Sequence, residues 1–301
     1  MTSLRFLVLG AAAGGGLPQW NCDCSNCAAA RDPASGVLPQ TQSSLAVSID
    51  GDKWVVFNAS PDIRQQIQQT PAFHPKALRH SPISSVVITN ADVDHIGGLL
   101  TLREKQPFDL FSTSTIEAVL DQNPIFRVLD PAHVTRRTIR LEEKFSPLEG
   151  LEARIFTVPG KVALFLEEGE PELGLEGEQT VGIEILAGSK RAYYIPGCAT
   201  LPEWLAERIR GADLLFFDGT LFTDDEMVRA GTGMKTGPRM GHMSVSGCDG
   251  SLEALAKLNI GRKVYVHINN TNPIWRKGPE RAAVEAAGFA VAHDGMEIDL
   301  D

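Results

Sequence analysis

Two carboxylates and a histidine fall within four positions at Asp92, Asp94 and His95, in the segment S-S-V-V-I-T-N-A-D-V-D-H-I-G-G-L-L spanning residues 84–100. Oxygen and imidazole donors at that spacing suit a divalent metal ion. They follow the β-branched run 86–89, so the expected geometry is a loop at the end of a buried strand, where several side chains can be aimed at one point. Gly97 and Gly98 then let the backbone pass close by, and a helical pattern resumes over 99–105. The competing reading of this segment alone is a solvated acidic turn that caps a helix. A second histidine, His267, ends the strand-like run K-V-Y-V-H-I. Alone it reads as a hydrogen-bonding group of the core. Joined to Asp94 and His95 it completes two imidazoles and one carboxylate, the set with which non-haem Fe(II) oxygenases keep positions open for substrate and O2. His242, in the loop M-G-H-M-S-V-S-G, is either a general base or a loop cap.

Cys22, Cys24 and Cys27 form C-x-C-x-x-C after G-A-A-A-G-G-G-L-P-Q-W. Thiolates so spaced can wrap one tetrahedral Zn(II), which needs one further ligand from elsewhere. A closed thiolate site has no open position, so its expected role is to pin the loop. Five cysteines, an odd number with three crowded together, argue against a disulfide framework. The glycine run 10–16 lacks G-x-G-x-x-G spacing, meets Pro18 instead of a helix and offers no Walker lysine. It reads as backbone passing close to a buried site. His74, His80, His133 and His293 do not cluster and are read as structural.

These residues need a scaffold. Strand patterns at 5–9, 45–49, 54–58, 85–89, 108–112, 151–157, 180–186, 192–195, 213–218, 263–268 and 290–293 alternate with helix patterns at 62–69, 98–105, 115–121, 201–210, 251–258 and 279–287. Two mixed sheets packed face to face between outer helices, a four-layer αββα sandwich of α/β class, would bury both sets of runs as one domain over 1–301. Polar residues gather at three strand ends, at 90–95, at Asp218-Gly219-Thr220 and at 267–272, and converging strand ends make a cleft.

With 43% hydrophobic and 22% charged residues the composition is that of an ordinary soluble protein. No apolar stretch approaches the roughly 20 residues of a membrane span, and the start lacks a signal-peptide pattern, so a cytoplasmic location is expected. The net charge of −10 and the absence of a large Lys/Arg cluster exclude a nucleic-acid track and disfavour a polyanionic substrate. Arg136, Arg137 and Arg140, the densest basic patch, read as a solvated face. The acidic, Gly-rich stretch 167–178 reads as an exposed loop or hairpin.

The string T-N-A-D-V-D-H-I-G-G-L resembles the metal-binding signature H-x-H-x-D-H of the metallo-β-lactamase superfamily, and the likeness extends over nearly the whole chain. The cysteine segment, together with F-F-D-G-T-L-F, G-H-M-S-V-S-G and V-H-I-N-N-T-N-P, resembles more narrowly a branch serving quinone-cofactor biosynthesis. The C-x-C-x-x-C loop is also similar to that of the phosphodiesterase branch, where a histidine three residues past the last active-site histidine completes the zinc site. Here that position is Asn270, so the fourth ligand is Asn270 itself, a water or another group. Superfamily hydrolases hold a first metal through the two leading histidines of the signature and one at a T-P-G-H-like turn. Those places read Asn90, Asp92 and, in T-V-P-G-K, Lys161. An ammonium does not ligate and an amide oxygen is a weak donor for zinc. The bridging aspartate is expected after A-Y-Y-I, where Pro196, Gly197 and Cys198 stand. The second metal position, Asp94, His95 and His267, is intact.

The resemblance thus implies a mononuclear iron- and O2-dependent hydroxylase of pyrroloquinoline quinone (PQQ) biosynthesis. Its substrate would be a small amino-acid-derived molecule, the cross-linked Glu-Tyr precursor cut from a peptide, hydroxylated on its tyrosine-derived ring. Asp92 and Asp218 are then further ligands or acid/base groups, and Lys161 or His242 steers substrate carboxylates or shuttles protons. A carrier that binds the quinone or a precursor and aids its transport to the periplasm is the alternative. A two-metal zinc hydrolase ranks last, and a homodimer is left open.

Overall fold

In the computed structural model, which describes residues 4–170 and 172–301, the apolar runs form two sheets of seven strands each. The first is built from β1 (Leu4–Gly10), β2 (Ser44–Ser48), β3 (Trp54–Phe57), β4 (Ile83–Val87), β5 (Phe108–Ser112) and β6 (Val134–Thr138). The second contains β7 (Lys144–Leu148), β8 (Leu151–Thr157), β9 (Val181–Ala187), β10 (Lys190–Ile195), β11 (Leu214–Asp218), β12 (Arg262–Val266) and β13 (Phe289–Val291). β14 (Glu297–Leu300) returns to pair antiparallel with β1. Both sheets share one plan. The orders β14-β1-β2-β3 and β7-β8-β9-β10 are antiparallel, while β3-β4-β5-β6 and β10-β11-β12-β13 are parallel.

Inner strands are buried on both faces, which is why they read as continuous apolar runs. Val55 and Phe57 of β3 join Phe216 of β11 and Val264 and Val266 of β12 in the core between the sheets. Their neighbours point the other way: Trp54 and Val56 pack into one outer core, Leu215, Phe217 and Tyr265 into the other. The helices are α1 (Ser25–Arg31), α2 (Ile63–Gln69), α3 (Val93–Ile96), α4 (Ser114–Gln122), α5 (Glu203–Ile209), α6 (Glu226–Arg229), α7 (Gly237–Met240), α8 (Ser251–Ala256) and α9 (Pro279–Ala286). Ile63 of α2 and Ile116 and Leu120 of α4 cover the first sheet; Leu205 of α5, Leu255 of α8 and Val284 of α9 cover the second. The result is the expected αββα sandwich. Among the described residues no helix is long and apolar enough to cross a membrane.

The sequence pattern misses β6, β7 and β14. Each lies at a sheet edge, where only one neighbour pairs and charges or proline are tolerated. β6 reads V-T-R-R-T; its Arg136 pairs with Asp121 and its Arg137 with Asp109, so the basic patch is an ion-paired, solvated edge. The stretch 167–178 is largely exposed, as expected, but it is anchored at several points. Its Leu175 exchanges backbone hydrogen bonds with Gly160, the Glu167 carboxylate is buried, and Glu178 receives the hydroxyls of Ser114 and Thr115 at the start of α4. Pro171 lies outside the described residues.

A larger correction concerns the segment after β4. The helix α3 begins before the two glycines, so Asp94 and His95 sit inside its single turn and not in a loop ahead of it, and Gly97–Arg103 is a 3-10 run. The glycines serve close approach: a Cβ on Gly98 would overlap the Ser60 carbonyl oxygen, and one on Gly97 would lie 3.0 Å from the Pro61 ring. Gly98 also donates its amide to Ala59 at 2.8 Å, tying α3 to the end of β3. Gly98→Ala is expected to destabilise the fold by about 2 kcal/mol or more through overpacking, read as a fall in the thermal midpoint.

Candidate metal centres

Strand ends from both sheets meet at one point. The ligand atoms of Asp94 and His95, after β4, and of His267, after β12, all lie within 4.8 Å of one another. His267 Nε2 is 3.0 Å from Asp94 Oδ2, and the His95 ring stands edge-on to that of His267 at 5.3 Å. His95 Nδ1 lies 2.6 Å from Asn90 Oδ1, an atom that can only accept. Nδ1 therefore carries the proton and Nε2 presents its lone pair. That Nε2 is buried and has no hydrogen-bond partner among the described residues. A partnerless buried acceptor is costly unless something fills it. Burial, only partly offset by Asp94, pushes the His95 pKa down to about 4, so the ring is neutral at pH 7.

His267 is prepared in the same sense. Thr220 Oγ1 donates to Asp218 Oδ1 at 2.6 Å and so accepts from His267 Nδ1 at 2.8 Å, which leaves Nε2 for Asp94. The backbone of His267 is left-handed, with φ 55°, held by Ile268 donating to Ala11 and Asn269 to Thr220. Burial disfavours charge on His267, yet Asp94 outweighs it and the pKa is raised. Burial likewise opposes ionisation of Asp94, but His95 and His267 hold its carboxyl well below the usual range. Either a proton or a cation must therefore sit between Asp94 and His267. Two neutral imidazole nitrogens and one carboxylate, one lone pair already orphaned, fit a divalent transition metal.

Asp218, His242 and His267 also lie within 4.8 Å of one another. These atoms close on the Thr220 hydroxyl, which is 2.6 Å from Asp218, 3.1 Å from His242 Nδ1 and 2.8 Å from His267 Nδ1. The cluster is a hydrogen-bonded hub with its middle already filled. Both oxygens of the fully buried Asp218 are engaged: Oδ1 by the Thr220 amide and hydroxyl, Oδ2 by the Cys198 amide at 2.9 Å and His242 Nδ1 at 2.6 Å. Burial opposes its charge, but His242 and His267 lower the pKa, so it stays an anion. His242 stacks on His267 at 5.1 Å with its Nε2 left unengaged by this hub. Its ring lies beside Gly197, where an added Cβ would make ordinary contact with His242 Cε1 at 3.5 Å.

Asn90 and Asp92 brace one another, and Lys161 is held separately by Glu167. Asp92 Oδ2 accepts from Asn90 Nδ2 at 2.9 Å and Oδ1 from the Leu164 amide at 3.3 Å, while Asn90 Oδ1 accepts the Asp92 amide at 3.1 Å. Asp92 occupies the N-cap position of α3 without a side-chain capping bond. Burial first, then Asp94, raises its pKa, with Lys161 and His242 opposing. Lys161 Nζ pairs with Glu167 Oε1 at 2.9 Å. Sequence reasoning does not find Glu167, Arg239 or Asn58. Asn58, buried with φ 61°, brackets Thr89 through its amide and so positions Asn90. The signal for it is an asparagine ending an apolar strand run.

The sulfurs of Cys22, Cys24 and Cys27 lie within 4.8 Å of one another, with Cys27 on α1. The Asn270 side chain faces them, its Nδ2 3.2 Å from Cys27 Sγ and 3.8 Å from Cys24 Sγ. Turning the amide over presents Oδ1 to the same spot. Burial raises the Cys24 pKa to about 11, so without a cation that thiol stays protonated, whereas at Cys22 burial is outweighed by hydrogen bonds involving Cys24, Cys27 and Asn270, which lower the pKa. Asn26 donates to the carbonyls of Asn270 and Asn272 at 2.9 and 2.8 Å. The glycine-rich run lies on the same loop: Ala13 donates to the Ile268 carbonyl, and a Cβ on Gly14 would lie 3.4 Å from Asp94 Oδ2. Residues 267–272 thus serve both centres.

Residues 53–268 match the β-lactamase superfamily domain. The chain is 65% identical over 299 residues to coenzyme PQQ synthesis protein B of Rhizobium meliloti (strain 1021), covering 99% of each. It is 57% identical to the protein of that name from Ruegeria pomeroyi, covering 99% of this chain and 100% of that one. Among solved structures it is similar to Zn(2+)-bound PqqB from Methylobacterium extorquens, with TM-score 0.97, 56% identity and coverage of 98% and 100%. A diphosphatase of the PhnP family, at TM-score 0.70, 23% identity and coverage of 99% and 97%, shares the fold.

Cys24→Ser is expected to lose the metal of the thiol cluster and to lower the thermal midpoint by about 5 °C or more, checked by elemental analysis and calorimetry. Glu226 accepts from the Thr271 hydroxyl at 2.5 Å and the Phe222 amide at 2.7 Å, and burial pushes its pKa from 4.5 up to about 7. The folded state then holds an extra proton between those values, so stability falls as pH rises through that window. Glu226→Gln should flatten this slope, by at most about 3 kcal/mol, in denaturant titrations from about pH 5 to pH 8.

Proposed function

The chain belongs to the coenzyme PQQ synthesis protein B family of the β-lactamase superfamily, and from that membership we propose that it is an iron- and O2-dependent hydroxylase of PQQ biosynthesis. Its substrate is the cross-linked Glu-Tyr precursor, which receives oxygen on the tyrosine-derived ring. The observation that carries this reading is the buried, partnerless Nε2 of His95 beside Asp94 and His267. These three residues hold Fe(II), which when bound supplies O2 activation with coordination positions left over.

The surrounding side chains have separable tasks. Asn90 and the Thr220–Asp218 pair hold His95 and His267 in the tautomers that expose Nε2. His242, with Nδ1 donating to Asp218, accepts the proton of a substrate phenol at Nε2, and the Asp218 anion stabilises the imidazolium. Asp92, whose pKa is raised by burial and then by Asp94, stands beside the centre as its acid/base group. Lys161 attracts a substrate carboxylate. The 3-10 turn Leu164–Leu166 is tied to the centre by its Leu164 amide, which bonds Asp92. Zn(II) at Cys22, Cys24 and Cys27, with Asn270 as fourth ligand, pins the loop 267–272 and the glycine run.

A two-metal hydrolase is disfavoured because Asn90, Asp92 and Lys161 are committed to one another and to Glu167. Reconstitution with Fe(II) under anaerobic conditions, followed by precursor and O2, tests the reading by mass spectrometry. An oxygen-dependent mass gain is expected. Precursor bound but unchanged would make the protein a carrier, and oxygen-independent cleavage would make it a hydrolase; either result sinks the proposal. His95→Ala should reduce turnover by at least about 100-fold with an unchanged circular dichroism spectrum, and a fully active His95→Ala would remove the metal assignment.

A further inference from the structure

Glu167 is an acidic side chain held by two cations at the edge of the centre. Its Oε1 is 2.9 Å from Lys161 Nζ and its Oε2 2.9 Å from Arg239 Nη2, with Arg239 Nη1 at 3.3 Å from Oε1. Only 7% of the Glu167 side chain and 11% of that of Lys161 are exposed, against 35% for Arg239, so one face of the cluster opens to solvent. The Lys161 stem lies against Gly241, the residue before His242, where a Cβ would come within 3.1 Å of Cγ. Two cations converge on the one buried carboxylate of the cluster, with Glu170 further out on the Arg239 side, in a chain of net charge −10. Around the centre, Asp92, Asp94 and Asp218 repel anions, so this cluster is where an acidic group is welcome.

We propose that Lys161 and Arg239 form a carboxylate-binding subsite for the substrate, occupied in its absence by Glu167 as an internal stand-in that the incoming carboxylate displaces. The inference rests on the reading that the substrate derives from glutamate and tyrosine and therefore carries carboxylates. Exchanging one carboxylate for another conserves the forked, charge-assisted hydrogen bonds of Arg239 and the Lys161 ion pair. A ring without acid groups gains nothing by opening the latch. Glu167 also ends the turn whose Leu164 amide bonds Asp92, so its release loosens the segment beside the centre only when an acid arrives.

The test uses the metal-loaded full chain with two probes, PQQ, a tricarboxylic acid, and its trimethyl ester, which keeps the rings and removes the charges. Glu167→Gln should bind the acid about tenfold more tightly and the ester unchanged; Arg239→Gln should bind the acid about tenfold more weakly, and Arg239→Lys should recover part of that loss. Amide exchange over 164–170 should rise in Glu167→Gln and, in the unmodified protein, on adding the acid. Equal responses to acid and ester, weaker acid binding by Glu167→Gln, or no change in amide exchange would overturn the latch. Acid-specific responses without hydroxylation of the precursor would uphold the subsite and defeat the hydroxylase reading instead.

Discussion

The contact between Asp94 and His267 is the constraint around which the molecule is arranged. It joins residues 173 positions apart, one following a strand of the first sheet and one following a strand of the second. A buried carboxylate cannot face an unprotonated imidazole nitrogen at 3.0 Å without a positive charge between them. The scaffold therefore imposes a demand for a cation, and His95 strengthens it by bringing a second bare nitrogen to the same point. Asn90, Thr220 and Asp218 then make the demand specific, since each fixes which ring nitrogen is protonated.

The two sheets repeat one plan, and the repetition explains why a site forms at their ends. In each, an antiparallel meander leads into parallel strands, and parallel strands send their C-terminal ends to the same side. β4, β11 and β12 thus deliver 90–95, 218–220 and 267–272 to one rim. The thiol cluster works on the same rim from outside: Asn270 faces the sulfurs, while His267, on the same loop, faces Asp94. Order in the cysteine loop is passed to the centre through a few residues of backbone.

At Asn90, Asp92 and Lys161 an amide and a carboxyl group satisfy one another, and an ammonium pairs with Glu167. His242 lies beside Gly197 and is oriented by Asp218. The fixed charge of Lys161 differs from a metal in kind: it attracts an anion without offering a coordination position.

Much of this was legible in the linear chain. The apolar runs report inner strands because those are buried on both faces, and Asp94, His95 and His267 are visible as a donor set because short polar clusters interrupt such runs. The sequence by itself also placed three thiols within six residues, a spacing that allows them to converge as they do. The edge strands β6, β7 and β14 were hidden, because with one face or one partner missing they carry charge and proline. Only the tertiary structure decided that Asp94 and His95 lie within the turn of α3, since the controlling contact is Gly98 against the carbonyl of Ser60. It alone decided that Asp218 orients His242, and that Glu167 lies between Lys161 and Arg239. Such pairings join residues far apart in the chain. They depend on hydrogen-bond geometry in a crowded interior, and no local pattern encodes which of several polar side chains will meet.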